Sequence, residues 1–131
     1  MVVDTSAIIT ILLREADAKW FAETIEGSGN PVMSAGSYLE AGVVTLRRLG
    51  PDGLPELDNI LGTLAVAIVP VTPEQAQLAI AAYARFGKGR HPAALNYGDC
   101  FSYALAQARG EPLLAKGEDF VRTDVQMAVA G

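Results

Sequence analysis

The sequence predicts an α/β chain folded as a three-layer α/β/α sandwich around a short central parallel sheet, and three observations carry that expectation. Four apolar runs, Met1–Val3, Pro31–Met33, Ala67–Val71 and Pro112–Ala115, are too brief for helices and show no polar alternation, as in strands covered on both faces. The stretches between them are longer and repeat their apolar residues at helical spacing. Strand and helix alternate, which means right-handed crossover units and parallel pairing.

In order, Met1–Val3 is the first strand, and its carboxyl end delivers Asp4. Thr5-Ser6-Ala7 leads into a helix expected over Ile8–Arg14 and a second over Ala16–Glu26, where Trp20, Phe21 and Ile25 recur at roughly helical spacing. Gly27–Pro31 turns into the second strand. Ser34 is a good N-cap for a helix that runs to about Leu49 and is stopped by Gly50-Pro51. Leu39, Val43 and Leu46 share one face of it. Leu54–Ala65 is amphipathic, with Leu57, Ile60, Leu61 and Leu64 on one side.

Ala67–Val71 is continuous, short and β-branched, and is expected to be a buried strand. Thr72-Pro73-Glu74-Gln75 combines a capping box with proline at the first helical position. That helix is expected to turn Ala76, Ala79, Ile80, Tyr83 and Phe86 inward and to end at Gly87. After the loop Gly87–Leu95, Asn96 caps Tyr97–Arg109, which ends at Gly110. Pro112–Ala115 is the fourth strand, and a fifth is expected near Val125–Val129. Residues 1–131 then make one domain.

Half the residues are hydrophobic and 19% are charged, so a packed core is expected rather than disorder. A net charge of −5 excludes a protein that coats nucleic acid through bulk positive charge, but leaves room for an acidic pocket beside a local basic strip. Cys100 is the one cysteine and His91 the one histidine, which rules out a disulfide framework and a Cys- or His-rich zinc site. With no basic leader and no run of 18 apolar residues, a cytoplasmic setting without membrane is expected. Between Gln75 and Gly98 no acid occurs, while Arg85, Lys88, Arg90 and His91 lie close together. This strip, with Lys116 and Arg122, is the candidate surface for a polyanionic backbone; the competing reading is a solvated helix end.

Asp4, Glu40, Asp99 and Asp119 each fall where a strand ends or a helix begins. Open α/β sheets bind ligands at that edge. Each acid also has a purely structural reading. Asp4 can be an N-cap, Ser37-x-x-Glu40 a capping box, Asp99 a third-position acid favoured by the helix dipole, and Glu118 or Asp119 the opening of a helical turn. Jointly that reading weakens. With Ser34 as the cap, Glu40 lies in the second turn, too deep for capping, among Leu39, Ala41, Gly42 and Val43. Asp99 sits among Tyr97, Gly98, Cys100 and Phe101 with no base beside it. Carboxylates buried together are costly unless a cation neutralises them, and a hard oxygen-liking ion such as Mg²⁺ is the natural one. Such a pocket suits metal-assisted phosphodiester hydrolysis.

Four segments, VVDTSA at Val2–Ala7, SAGSYLEA at Ser34–Ala41, LNYGDCFSYALA at Leu95–Ala106 and LLAKGEDFVRTDV at Leu113–Val125, follow one another over nearly the whole chain. Together they resemble the PIN-domain ribonucleases, specifically the VapC-type toxins of bacterial type II toxin–antitoxin pairs. The resemblance implies strand order 3-2-1-4-5 and an endoribonuclease dependent on Mg²⁺, or Mn²⁺, that cleaves structured RNA of the transfer or ribosomal class. It implies Asp4, Glu40, Asp99 and Asp119 as the catalytic acids, with Asp4 and Asp99 the principal metal ligands and Glu40 and Asp119 acting directly or through water. Glu118 is the alternative to Asp119, and Ser6 matches a small polar residue that supports the first aspartate. It also implies a homodimer, inhibition by a cognate VapB-type antitoxin whose C-terminal segment occupies the groove, and room for a larger toxin–antitoxin assembly. Apolar surface on Leu54–Ala65, with Trp20 and Phe21, is expected to be covered in part by such a partner.

Three rivals are weighed against this. A haloacid-dehalogenase-type phosphatase requires an Asp where Ser6 stands. A receiver-like phosphoacceptor module with Lys116 requires an acid where Thr72 stands. A catalytically inactive PIN binding module is disfavoured by the four intact acids.

Overall fold

Two valines occupy the centre of the molecule. In a computed structural model, which describes residues 1–128, strand β1 (Val2–Val3) lies between β2 (Val32–Ser34) and β4 (Leu113–Leu114), and β3 (Ala67–Val69) lies outside β2. The order is β3-β2-β1-β4 and every pairing is parallel, with Val2 in register with Val32 on one side and Leu113 on the other. Helices fill the connections: α1 (Thr5–Leu12), α2 (Ala18–Glu26), α3 (Ala35–Leu49), α4 (Gly53–Thr63), α5 (Pro73–Phe86) and α6 (Tyr97–Arg109).

Successive strand residues point to opposite faces, and each central strand divides its two apolar side chains between two cores. Val2, Val32 and Leu113 pack with Ala82 and Phe86 of α5 and Tyr103 and Ala106 of α6. Val3, Met33 and Leu114 pack with Ile8 of α1, Phe21 and Ile25 of α2, Ala41 of α3, and Leu57 and Leu61 of α4. The three layers follow from that division.

Side chains set the helix starts. Asp4, Ser34, Thr72 and Asn96 each accept a backbone N–H from the first turn of α1, α3, α5 and α6 respectively. A cap of this kind is worth about 1 kcal/mol. Gly110 closes α6 at φ +63°, a conformation that suits a residue without Cβ. Because Asp4 is itself the cap, α1 opens at Thr5, earlier than the expected Ile8, and α2 opens at Ala18 rather than Ala16.

Three expectations are corrected. The run Ala67–Val71 is an edge strand and not a buried one: Ala67 and Ile68 are exposed, and Pro70 and Val71 lie beyond its end. Among the described residues no fifth strand forms; Met127 makes a single parallel bridge to Leu113 on the expected side, and Val129 lies outside the described residues. The inward face of α5 carries Gln75, Ala82 and Phe86, so Ala76, Ile80 and Tyr83 face out. Likewise α3 packs through the small residues Ser37, Ala41 and Thr45, and leaves Leu39, Val43, Leu46 and Leu49 exposed.

In α3, small side chains allow close approach to the sheet and to α6, and the bulky stripe is left for the other side. In α5, Ala82 and Phe86 reach the core, and Ile80 and Tyr83 line the cleft against α6. Conversely, Phe21, Leu57, Leu61 and Leu64 are buried in the core, and only Trp20 of the surface expected there for a partner is exposed. Among the described residues no helix is long and apolar enough to cross a membrane.

Candidate active site

Every parallel strand ends at the same edge of the sheet, and β1 delivers Asp4 there with its backbone N–H still bonded to Leu114 O at 2.9 Å. The carboxylate is 3% exposed. Its Oδ2 accepts from Ser6 N (3.0 Å) and Ser6 Oγ (2.7 Å), and its Oδ1 accepts from Ser102 Oγ (2.5 Å). Capping and burial therefore coexist in one residue. The structural reading of Asp4 is correct, and it leaves one lone-pair direction of Oδ1 open.

Glu40 sits in the second turn of α3, half-buried, against the first turn of α6. A Cβ placed on Gly98 would lie 1.9 Å from Glu40 Oε2, so the glycine is what allows this carboxylate so near Asp99. Burial raises the Glu40 pKa; the neighbouring Thr5 hydroxyl lowers it and the charge of Asp4 raises it again.

Asp99 completes a capping box: its Oδ2 accepts from Asn96 N at 3.0 Å, while Asn96 Oδ1 accepts from Asp99 N at 2.9 Å. Here too the structural reading holds, and again it does not exhaust the residue. Burial pushes the Asp99 carboxyl up to about 7; the Asn96 amide opposes this, and the charges of Asp4, Asp119 and Glu40 add to it. These acids, separated by up to 115 residues in sequence (119 − 4), act on one another through space. Asp119 is exposed at the rim, and of the adjacent pair it is Asp119 whose charge is felt at Asp99.

Among the described residues no lysine or arginine is paired with this group. Lys116 is the nearest candidate in sequence, yet its Nζ pairs with Glu15 (2.9 Å) and Asp17 (3.1 Å), and its backbone N–H donates to Ser6 Oγ (2.9 Å). The donor set is all carboxylate oxygen, which fits a hard divalent cation and not zinc. Among the described residues no three Asp, Glu, His or Cys side chains are grouped tightly enough to cage a metal ion unaided. Mg²⁺ is typically held by one or two carboxylates and keeps several waters.

The basic strip is only partly free. Arg85 pairs with Asp124 at 3.2 Å and lies over the Phe86 ring; His91 Nδ1 accepts from Ala93 N; Arg122 donates to Pro92 O. Among the described residues, Lys88 and Arg90 have no side-chain partner of this kind. They border a cleft of about 690 Å³ between α5 and α6, lined by Val71, Ile80, Tyr83, Tyr97 and Phe101.

Sequence reasoning missed Thr5, Ser37, Gly98 and Ser102. The signals were present. Ser37 shares the small inward face of α3, Ser102 lies one turn after Asp99, and glycine next to an acid in a helix's first turn marks a close approach.

Comparison with known proteins bears on the same residues. The PIN-domain family profile matches residues 1–126. Ribonuclease VapC30 of Mycobacterium tuberculosis is 51% identical over 125 residues, spanning 95% of each chain. Among solved structures, VapC20 of Mycobacterium tuberculosis, described as a sarcin–ricin loop cleaving toxin, superposes with a TM-score of 0.79 at 17% identity, covering 97% of each chain. A toxin–antitoxin complex from Klebsiella pneumoniae matches with a TM-score of 0.71 at 16% identity, covering 97% of this chain and 95% of the other. A near-complete family match, half-identity to a VapC ribonuclease and acids gathered at the sheet edge converge: the chain belongs to the PIN-domain family, among its VapC ribonuclease toxins.

Proposed function

We propose that this ribonuclease is an endonuclease dependent on Mg²⁺ or Mn²⁺, that it cleaves structured RNA of the ribosomal or transfer class, and that Asp4, Glu40, Asp99 and Asp119 carry the chemistry. The supporting observation is the Asp99 carboxyl, pushed up to about 7 by burial and by the charges of three neighbouring acids. Asp4 and Asp99 would hold the cation, with Glu40 and Asp119 reaching it directly or through water. When bound, it supplies positive charge for the scissile phosphate and acidifies the attacking water. Glu40, half-buried beside the first turn of α6, orients that water. Asp119, at the open rim, faces the incoming RNA. Ser6 holds Asp4 Oδ2 in place. Lys88 and Arg90 bind the RNA backbone, with Arg85, His91, Lys116 and Arg122 as further candidates despite their internal partners.

The same reading includes a homodimer and a cognate VapB-type antitoxin in a cytoplasmic complex. Its support is the apolar surface of α3 and of the α5/α6 cleft, together with neighbours solved as toxin–antitoxin complexes. The RNA class takes its support from the description of VapC20 as a sarcin–ricin loop cleaving toxin.

The test is cleavage of total RNA by purified protein. Asp4→Ala and Asp99→Ala are each expected to lower the rate by at least about 10²-fold with circular dichroism unchanged, and EDTA to do the same to the wild type. Undiminished cleavage by Asp99→Ala would overturn the assignment.

A further inference from the structure

The start of α6 shows two different stripes. Gly98 and Asp99 belong with Glu40 and the other acids, and Ser102, one turn on, bonds Asp4. Tyr97, Cys100, Phe101 and Ala104 instead line the cleft of about 690 Å³ against α5. The cleft therefore begins beside the acids, at consecutive residues of one helical turn.

Its charge differs from that of the molecule as a whole. The chain carries a net −5, yet the lining of the cleft holds no Asp or Glu, and its two charged residues are Lys88 and Arg90. They reach it because the loop after α5 folds back: Gly87 bridges Leu95, and Lys88 N donates to Leu95 O at 2.9 Å. Tyr97 is 79% exposed, and its ring meets that of Phe101 edge-on, with centroids 5.2 Å apart and planes at 86°. Phe101 is backed in turn by Gly36, where a Cβ would lie 2.3 Å from the Phe101 ring. The Tyr97 ring is thus supported on one side and keeps a π-face open on the other.

Cations beside an open aromatic face suit single-stranded nucleic acid, whose phosphates pair with the cations while a base stacks on the ring. We propose that the α5/α6 cleft takes an unpaired nucleotide next to the scissile phosphate, its base stacked on Tyr97 and its phosphates against Lys88 and Arg90. A base inside a duplex has both faces covered by its neighbours, so only a loop, bulge or end can supply one. The inference narrows the substrate to RNA that presents such an element at the cut. It rests on the reading of Lys88 and Arg90 as RNA contacts.

Fluorescence polarisation with the full chain in EDTA tests it, because binding is then read apart from the chemistry of the acids. The probes are a labelled RNA hairpin with an unpaired loop, the same hairpin with abasic loop nucleotides, and a blunt duplex of equal length. The wild type should bind the intact hairpin most tightly. Tyr97→Ala, at an exposed position, should weaken that binding roughly tenfold, the scale of one lost stack, and leave the abasic hairpin and the duplex unchanged. Tyr97→Phe keeps the ring and should bind as the wild type does. Lys88→Ala combined with Arg90→Ala should weaken all three probes and reduce the dependence of binding on salt. Wild-type hairpin binding by Tyr97→Ala, or an equal loss on the abasic hairpin, would overturn this inference alone and leave the cleft to a protein partner. Wild-type binding of every probe by the Lys88 and Arg90 double variant would overturn the underlying reading with it.

Discussion

Asp99 does two things with two oxygens. One ties down the start of α6, and the carboxyl as a whole is held near pKa 7, well above its ordinary 3.8, chiefly by burial. A folded pKa above the unfolded one means that the native state keeps a proton the unfolded chain has released. The associated stability is full below about pH 3.8 and is lost as pH rises through about 7. Glu40 shifts in the same direction. Without divalent ions the protein should therefore melt lower at pH 8 than at pH 5. Allowing for partial screening by solvent, the fall should be roughly 5 °C, what about 1–2 kcal/mol makes in a domain of this size. Asp99→Asn should flatten that profile, and added Mg²⁺ should recover the loss at pH 8, because metal binding favours the deprotonated carboxyl. Scanning fluorimetry across pH, with and without EDTA, checks all three. A wild-type melting temperature that is level from pH 5 to pH 8 in EDTA would contradict it.

At the scale of elements, the site depends on how closely α3 and the first turn of α6 approach. Gly98 sets that distance, and the atoms a Cβ would strike are the tip of a flexible side chain. Gly98→Ala should therefore fold, but with Glu40 displaced. We expect RNA cleavage to fall by about 10²-fold, the scale of a catalytic group misplaced by about an ångström, with less than about 1 kcal/mol lost in urea unfolding. Cleavage at the wild-type rate would show that the approach is not needed.

The positions of the four strands that form, the caps Ser34, Thr72 and Asn96, and the stops at Gly50, Gly87 and Gly110 were legible because each is written in local sequence. The four acids stood out at element ends, and the fold brings Asp4, Glu40 and Asp119 within electrostatic reach of Asp99. The facing of α3 and α5 was not legible. Leu39, Val43 and Leu46 have the spacing of a core stripe, and periodicity marks an apolar face without saying what covers it. The contact of Ser37 Oγ with Ser102 Oγ was hidden for a different reason: the two stand 65 residues apart, and only the tertiary packing joins them.

At the scale of the whole molecule, several helices carry large apolar side chains in contact with solvent. Leu39 is 67% exposed, Ile80 72% and Tyr97 79%, on three helices. A monomer bearing such residues is expected to associate. On the homodimer proposed above, Leu39→Glu combined with Leu46→Glu should leave only monomer in light scattering at micromolar concentration, while RNA cleavage per chain changes less than about tenfold. A double variant that remains dimeric would place the interface elsewhere.

The pairing of β1 has a kinetic consequence. Val2 takes its neighbours from positions 32 and 113, so the sheet cannot close until very distant parts of the chain have met. Long loops of that kind slow folding, and local helices form well before them. Asp4, Ser102 and Asp119 come together only in that last step, so there is no half-formed nuclease along the way. After dilution from denaturant, activity should return in a single slow phase, together with protection of the Val2 and Asp4 amides and after the helical signal.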